Sequence, residues 1–334
     1  MLLLEVRDLS VSFATADGVV QAVRGISFGV ERGRTLGIVG ESGSGKSVAT
    51  QTIVGLTQGA RISGHAYFEG RDLLGMEAAE LRHVRGPEIA LIFQDPLSSL
   101  HPLYRVGWQI VEAIRAHEPI PKRAARRQAI ELLGRVGIPR PERRLDDYPH
   151  EFSGGMRQRA MIAMALAVKP KLLIADEPTT ALDVTVQAQI IELMKSLQAE
   201  FGMAIILITH DLGVVSGIAD EVVVMYAGRA MEHGDRSSVL RRPHHPYTEG
   251  LIQALPSESS ARDRLIPIPG LPPSLIHPPL GCPFHPRCRY VFDRCTKEVP
   301  PLQKVERGRG HVSACWLPPD RVGLSEPTAG AASP

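Results

Sequence analysis

Two groups of residues have the types and spacing to do chemistry on a phosphorylated ligand. The run Gly40-Glu41-Ser42-Gly43-Ser44-Gly45-Lys46-Ser47 follows the apolar Thr35-Leu36-Gly37-Ile38-Val39 and precedes a helical pattern beginning near Ser47. In a strand, loop and helix setting, its glycines let successive backbone N–H groups converge on the β- and γ-phosphates, and the helix N-terminus adds a favourable field. Lys46 supplies a point charge and Ser47 a hydroxyl for Mg2+. Farther on, Leu172-Leu173-Ile174-Ala175 ends in Asp176-Glu177, two acids at the carboxyl end of a strand, where ligands bind parallel sheets. Asp176 is suited there to hold the metal, directly or through water, and Glu177 to orient and polarise an attacking water.

The elements that must position these groups alternate short apolar runs with helical patterns. Ile89 to Phe93 and Ala204 to Ile208 are further candidates for buried strands. Behind Asp183, an N-cap residue type, Val186, Ile190, Leu193, Met194 and Leu197 recur at helical spacing. Strand, helix, strand in this order predicts an α/β fold with a mainly parallel sheet. Residues 1–33 read instead as amphipathic strands, an antiparallel β subdomain, and residues 97–168 as a mostly α-helical insertion carrying Trp108, Ile110, Val111, Ile114, Ala129, Ile130, Leu132 and Leu133. Most of the 27 prolines fall after Leu240. We therefore divide the chain into a nucleotide-binding unit, 1–250, and a Pro-rich C-terminal extension, 251–334, ending in a loose tail from Leu317.

Composition excludes several classes. With 334 residues, 43% hydrophobic and 22% charged, the chain is neither a stapled mini-protein nor wholly disordered. A net charge of +2 does not call for a polyanion partner. The basic stretch from Arg115 to Arg144 reads as a solvated helix face, with a nucleic-acid or lipid-headgroup patch as the rival. The start, Met1-Leu2-Leu3-Leu4-Glu5-Val6-Arg7, is too soon charged for a secretory signal, and no apolar run approaches the roughly 20 residues that span a bilayer. A cytosolic location follows, and there the four cysteines, Cys282, Cys288, Cys295 and Cys315, are better suited to a metal or cluster than to disulfides.

Phe152-Ser153-Gly154-Gly155-Met156-Arg157-Gln158-Arg159 narrows the reading. Here the chain resembles the ATP-binding-cassette ATPases, whose signature has the form Leu-Ser-Gly-Gly-Gln on a P-loop NTPase core. The resemblance implies ATP and Mg2+ as ligands, with Ser153, Gly154 and Gly155 capping the γ-phosphate bound by an opposite subunit. Gln94-Asp95-Pro96 is similar to the glutamine loop that touches Mg2+, Ala181-Leu182-Asp183 to the loop that communicates across the dimer, and His210 to the switch histidine. Phe13 stands where the family stacks an aromatic ring on adenine. Phe152 replaces Leu and Met156 replaces Gln, which leaves the Ser-Gly-Gly core intact. With Glu177 and His210 both present, the subunit is expected to hydrolyse ATP.

The segments Phe93-Gln94-Asp95-Pro96-Leu97-Ser98-Ser99-Leu100-His101-Pro102, His245-Pro246-Tyr247-Thr248, Ile268-Pro269-Gly270-Leu271-Pro272-Pro273 and Cys282-Pro283-Phe284-His285-Pro286-Arg287-Cys288 resemble ATPases of dipeptide and oligopeptide importers. That branch implies a second ATPase subunit, a paralogue, two transmembrane permease subunits, an extracellular substrate-binding protein, and attachment at the cytoplasmic face of the membrane, with no nucleic-acid partner. It also implies a [4Fe–4S] cluster on the four cysteines, for which zinc is the rival and four unmodified thiols the third reading. Other readings of the function are a nickel or other small-solute importer, a DNA-repair or translation ATPase, and a redox-sensing regulatory ATPase.

Overall fold

The computed structural model describes residues 1–94, 99–180, 182–254, 267–305 and 310–318. Asp95 to Ser98, Ala181, the end of the compositional boundary and the tail beyond Pro318 lie outside these residues. In chain order the strands are β1 (Leu2–Thr15), β2 (Gly18–Glu31), β3 (Thr35–Val39), β4 (Ala60–Phe68), β5 (Arg71–Asp72), β6 (Ile89–Ile92), β7 (Leu172–Asp176), β8 (Ala204–Thr209), β9 (Glu221–Tyr226), β10 (Arg229–Asp235), β11 (Gln303–Lys304) and β12 (Val312–Ser313).

Strands β3, β7 and β8 are buried at every position, as their unbroken apolar runs require. They belong to a sheet of order β11-β12-β10-β9-β3-β8-β7-β6, parallel from β9 to β6 and antiparallel in the remainder. Its register sets Val39 opposite Thr209, Asp176 opposite Ile208 and Ile92 opposite Ala175. The segments that follow β3, β6, β7 and β8 therefore leave along one edge of the sheet. Side chains alternate across it: Leu173, Ala175, Ile205 and Leu207 face a core shared with the helical insertion. Ile38, Leu172, Ile174, Ile206 and Ile208 face a core shared with the four-stranded antiparallel sheet β2-β1-β4-β5.

Residues 1–33 form two long strands rather than several short ones. A bulge between Val6 and Leu9, with Asp8 at φ +50°, absorbs the break in the apolar pattern without ending β1. The fifth parallel strand, β9, is not among the strands expected, because the preceding helix Leu212–Ile218 is too short to announce a strand, helix, strand unit by periodicity. Within the insertion, helices Val106–His117, Lys122–Arg135 and Gly154–Ala165 share one core. Arg126 meets Asp146 through two bonds of 3.0 and 2.7 Å, and Arg144 lies 2.7 Å from Asp147. Acids of the same insertion thus answer part of the basic stretch.

Composition changes near Leu240, but the core does not break there. β12 pairs with β10, so the C-terminal segment continues the central sheet. Val39, Val222, Val224 and Tyr226 share a third core with Tyr247, Cys282, Phe284, Cys295 and Ala314. The carboxylate of Glu232, fully buried, accepts from the N–H groups of His244 (2.6 Å) and His245 (3.1 Å) and pairs with His311 Nε2 at 2.7 Å. Glu232 thereby ties β10 to both later segments. Phe284, 3% exposed, packs its ring 5.3 Å from those of Tyr226 and Tyr247. Truncating it, Phe284→Ala, is expected to cost about 3–5 kcal/mol and to lower a single calorimetric transition. A separate, earlier transition for the C-terminal segment would contradict the shared core.

Candidate functional site

The loop Gly40–Ser47 runs from the end of β3 into helix Lys46–Ile53. Two of its glycines have no alternative. A Cβ on Gly40 would stand 2.1 Å from the Met225 carbonyl oxygen, and one on Gly45, φ +97°, 2.2 Å from that of Ala22. The loop is thus clasped between β9 and β2. Lys46 is 5% exposed and folds back on the loop, donating to the carbonyls of Gly40 (2.7 Å) and Glu41 (2.9 Å) and lying 3.4 Å from Ser44 Oγ. Burial pulls its pKa below the ordinary lysine value, while Glu177, Asp176 and Glu41 oppose that change. A phosphate entering the loop would exchange with those two carbonyls for the ammonium.

Across the sheet edge, Ser47 Oγ donates to Asp176 Oδ1 at 2.9 Å. Burial raises the pKa of Asp176, and the Ser47 hydroxyl counters it. This pair offers oxygen donors of the kind Mg2+ takes. Glu177 adopts φ +46°, a left-handed conformation costly for a residue with a Cβ and typical of functional sites. Its carboxylate accepts from Thr180 Oγ1 (2.8 Å) and Gln94 Nε2 (3.0 Å) and lies 3.2 Å from His210 Nδ1. Burial alone would raise its pKa; hydrogen bonds from Thr180 and His210 and the charge of Lys46 outweigh it, so the group stays ionised below the usual carboxylate range. An ionised, aimed carboxylate is suited to hold a water for in-line attack.

Sequence reasoning missed Thr180, whose only signal is its spacing of three from Glu177. Glu177 and His210, expected to position one water, meet, and Gln94, expected to touch Mg2+, joins them at Glu177. Phe13 is half-buried on β1, opposite Val20 and Ala60, and packs on the same core as Val48 of the helix that follows the loop.

Ser153, Gly154, Gly155 and Asp183 form a second group. Ser153 is exposed and caps helix Gly154–Ala165, its Oγ accepting from Met156 N at 3.3 Å. Asp183 caps helix Val184–Phe201 by accepting from Val186 N at 2.9 Å. A Cβ on Gly155 would meet Val186 Cγ1 at 2.9 Å, so the two helix starts lie against each other. Phe152, 3% exposed, anchors the turn in the core as a leucine would. Among the described residues, no hydrogen bond or ion pair joins Ser153, Gly154 or Gly155 to the loop 40–47.

The four cysteines are free thiols, and all four line one cavity of about 10 Å³ together with His245, Phe284 and Trp316. Burial pushes Cys282 and Cys315 up to about 12 and raises Cys288 as well. Among the described residues, no three His, Cys, Asp or Glu side chains are grouped to hold a metal ion.

A family model described as "ABC transporter" matches residues 23–180, and one described as "Oligopeptide/dipeptide transporter, C-terminal region" matches residues 231–295. The chain is 52% identical over 331 residues to the oligopeptide transport ATP-binding protein OppD of Bacillus subtilis, covering 98% of this chain and 92% of that protein. It is 50% identical over 325 residues to the dipeptide transport ATP-binding protein DppD of Escherichia coli, covering 97% and 99%. Among solved structures, the cassette MJ0796 bound to ADP and Pi in a dimeric post-hydrolysis state matches with a TM-score of 0.63 at 25% identity, over 70% of this chain and 98% of that one. CbiO1 from Clostridium perfringens, part of the ABC transporter complex cbiONQ, matches at 0.62 and 30%, over 72% and 91%.

The clasp on the loop separates two substitutions that look alike in sequence. Gly45→Ala meets a backbone carbonyl and is expected to lower the melting temperature sharply and to abolish nucleotide binding. Gly43→Ala, at φ +78° with open space around it, is expected to cost about 1–2 kcal/mol and to leave the protein folded. Equal effects in thermal unfolding would contradict the clasp.

Proposed function

The chain belongs to the ABC transporter family, in its oligopeptide and dipeptide ATP-binding branch, and from that premise we propose that ATP on this chain's loop Gly40–Ser47 is capped by a second ATPase subunit, while Ser153, Gly154 and Gly155 of this chain cap the ATP held by that subunit. The protein is an ATPase that powers peptide import. The observation that carries the composite site is the exposure of Ser153, whose hydroxyl accepts from the start of its own helix. The loop and its acids meet at the sheet edge, while the exposed Ser153 cap has no bond to them among the described residues.

In this reading Phe13 stacks on adenine, and the backbone N–H groups from Glu41 to Ser47 take the phosphates. Lys46 moves from the Gly40 and Glu41 carbonyls to the β- and γ-phosphates. Ser47, Gln94 and Asp176 would hold Mg2+, which would neutralise phosphate charge. Glu177, oriented by Thr180, Gln94 and His210, positions the attacking water, and His210 reaches the γ-phosphate. Asp183 carries the state of one site towards the other. Placement and charge stabilisation do the catalytic work.

An apolar groove of about 710 Å³, lined by Leu56, Phe93, Ala113, His117, Met161 and Met164, opens beside Gln94. Its position between the sheet and the helical insertion suits it to receive a short helix from a transmembrane permease. No helix among the described residues is long and apolar enough to cross a membrane, in keeping with attachment through such permeases at the cytoplasmic face. Peptide choice then rests with the permeases and an extracellular binding protein. The second ATPase is a paralogue in this reading.

The four thiols lining one cavity support a metal centre in the C-terminal segment. Their donor set fits a [4Fe–4S] cluster on Cys282, Cys288, Cys295 and Cys315. The described side chains make no grouping of three donors for either a cluster or zinc, so the four sulfurs would have to draw together around the centre. Such a centre would staple a turn-rich segment whose apolar core is small.

Two measurements follow. Glu177→Gln is expected to keep ATP binding, trap a closed dimer and lower hydrolysis about a hundredfold or more; turnover near the wild-type rate would remove Glu177 from its role. Protein purified without oxygen is expected to contain iron and sulfide and to absorb broadly in the visible, and stoichiometric zinc without iron would replace the cluster by its rival.

A further inference from the structure

Glu41 places a carboxylate on the very loop that is to receive a triphosphate, where an unanswered negative charge repels the ligand. The structure answers it from far along the chain. Arg287 Nη1 lies 2.6 Å from Glu41 Oε2, and Nη2 lies 3.0 Å from Oε1, a two-bonded fork. The Arg287 side chain is 6% exposed and the Glu41 side chain 25%. Arg287 is itself immobilised, its Nε donating to the Pro269 carbonyl at 2.8 Å and its Nη1 to Tyr226 Oη at 3.1 Å. The other end of Glu41 is also held from outside the loop: its backbone N–H donates to Tyr247 Oη at 2.8 Å. Tyr247 is fully buried.

We propose that Arg287 is a positioning residue of the nucleotide site: it neutralises Glu41 and, together with Tyr247, fixes the first turn of the loop 40–47 in the shape that receives the triphosphate. This rests on the reading of that loop as the ATP cradle and extends it, because the site then needs a residue outside every ATPase motif. A Gly- and Ser-rich loop has much freedom to lose on binding. A loop already fixed at Glu41 loses less of it when the ligand arrives. Arg287 also stands one position before Cys288, so the turn that carries the thiols is the turn that holds the loop.

The test is titration of the full-length protein with a fluorescent ATP analogue and Mg2+, at a temperature where each variant is shown by its melting curve to be folded. Arg287→Ala is expected to weaken binding about tenfold or more, since the carboxylate left behind is unpaired. Adding Glu41→Gln to Arg287→Ala is expected to recover most of that loss, because the repelling charge is gone. A merely architectural arginine lowers the melting temperature and leaves affinity per folded molecule unchanged. Wild-type affinity in Arg287→Ala, or a double variant no tighter than the single one, overturns the proposal. Should Arg287→Ala fail to fold, Arg287→Gln keeps much of the side-chain volume and its donors without the charge; its weaker binding supports the role and its wild-type binding overturns it. Lys46→Ala is the control on the premise. If it binds as the wild type does, the ATP-cradle reading itself falls, and this inference with it.

Discussion

The nucleotide loop does not hold its shape alone. Carbonyl oxygens of Met225 and Ala22 press on Gly40 and Gly45 so closely that neither position admits a Cβ. Backbone from β9 on one side and β2 on the other thereby forms the loop's walls. This clasp explains why the two sheets must meet where they do. The antiparallel sheet supplies Ala22 and carries Phe13; the parallel sheet supplies Met225 and, in register with it, the ends of β7 and β8 that bring Asp176, Glu177 and His210. Glycine at these positions is a condition of two sheets packing on one turn.

Much of this could be read from the chain because each motif sits where strand periodicity changes to helical periodicity. The apolar runs of β3, β7 and β8 and the Asp183 cap carry strong local signals, and local preference and fold agree there. Thr180 and β9 escaped notice for a different reason: a hydroxyl on a loop and a strand behind a seven-residue helix have no period to reveal them. Arg287 was hidden more deeply. Its partner lies 246 residues away, and one arginine between two cysteines does not announce an ion pair. The compositional break near Leu240 suggested a separate unit, whereas the β10–β12 pairing and the Tyr226, Tyr247 and Phe284 rings bind the C-terminal segment to the central sheet.

The C-terminal segment therefore matters to the ATPase as well as to itself. Buried Glu232 gathers two backbone N–H groups and a histidine from segments 12 and 79 residues away, and such a carboxylate is tolerated because its lone pairs are answered. Around it the chain has few periodic apolar residues, so order depends on specific polar ties and three aromatic rings. The four thiols face inward in the same segment. The turn they line also carries Arg287, whose fork holds Glu41 at the start of the nucleotide loop.

The central claim is that neither ATPase subunit contains a whole active site. Its most direct test is a structure of the assembled transporter with a non-hydrolysable ATP analogue and Mg2+. The account predicts Ser153 Oγ and the Gly155 N–H of this chain against the γ-phosphate held by the phosphate loop of the second ATPase subunit. A nucleotide held within a single chain, with Ser153 facing solvent, would contradict it.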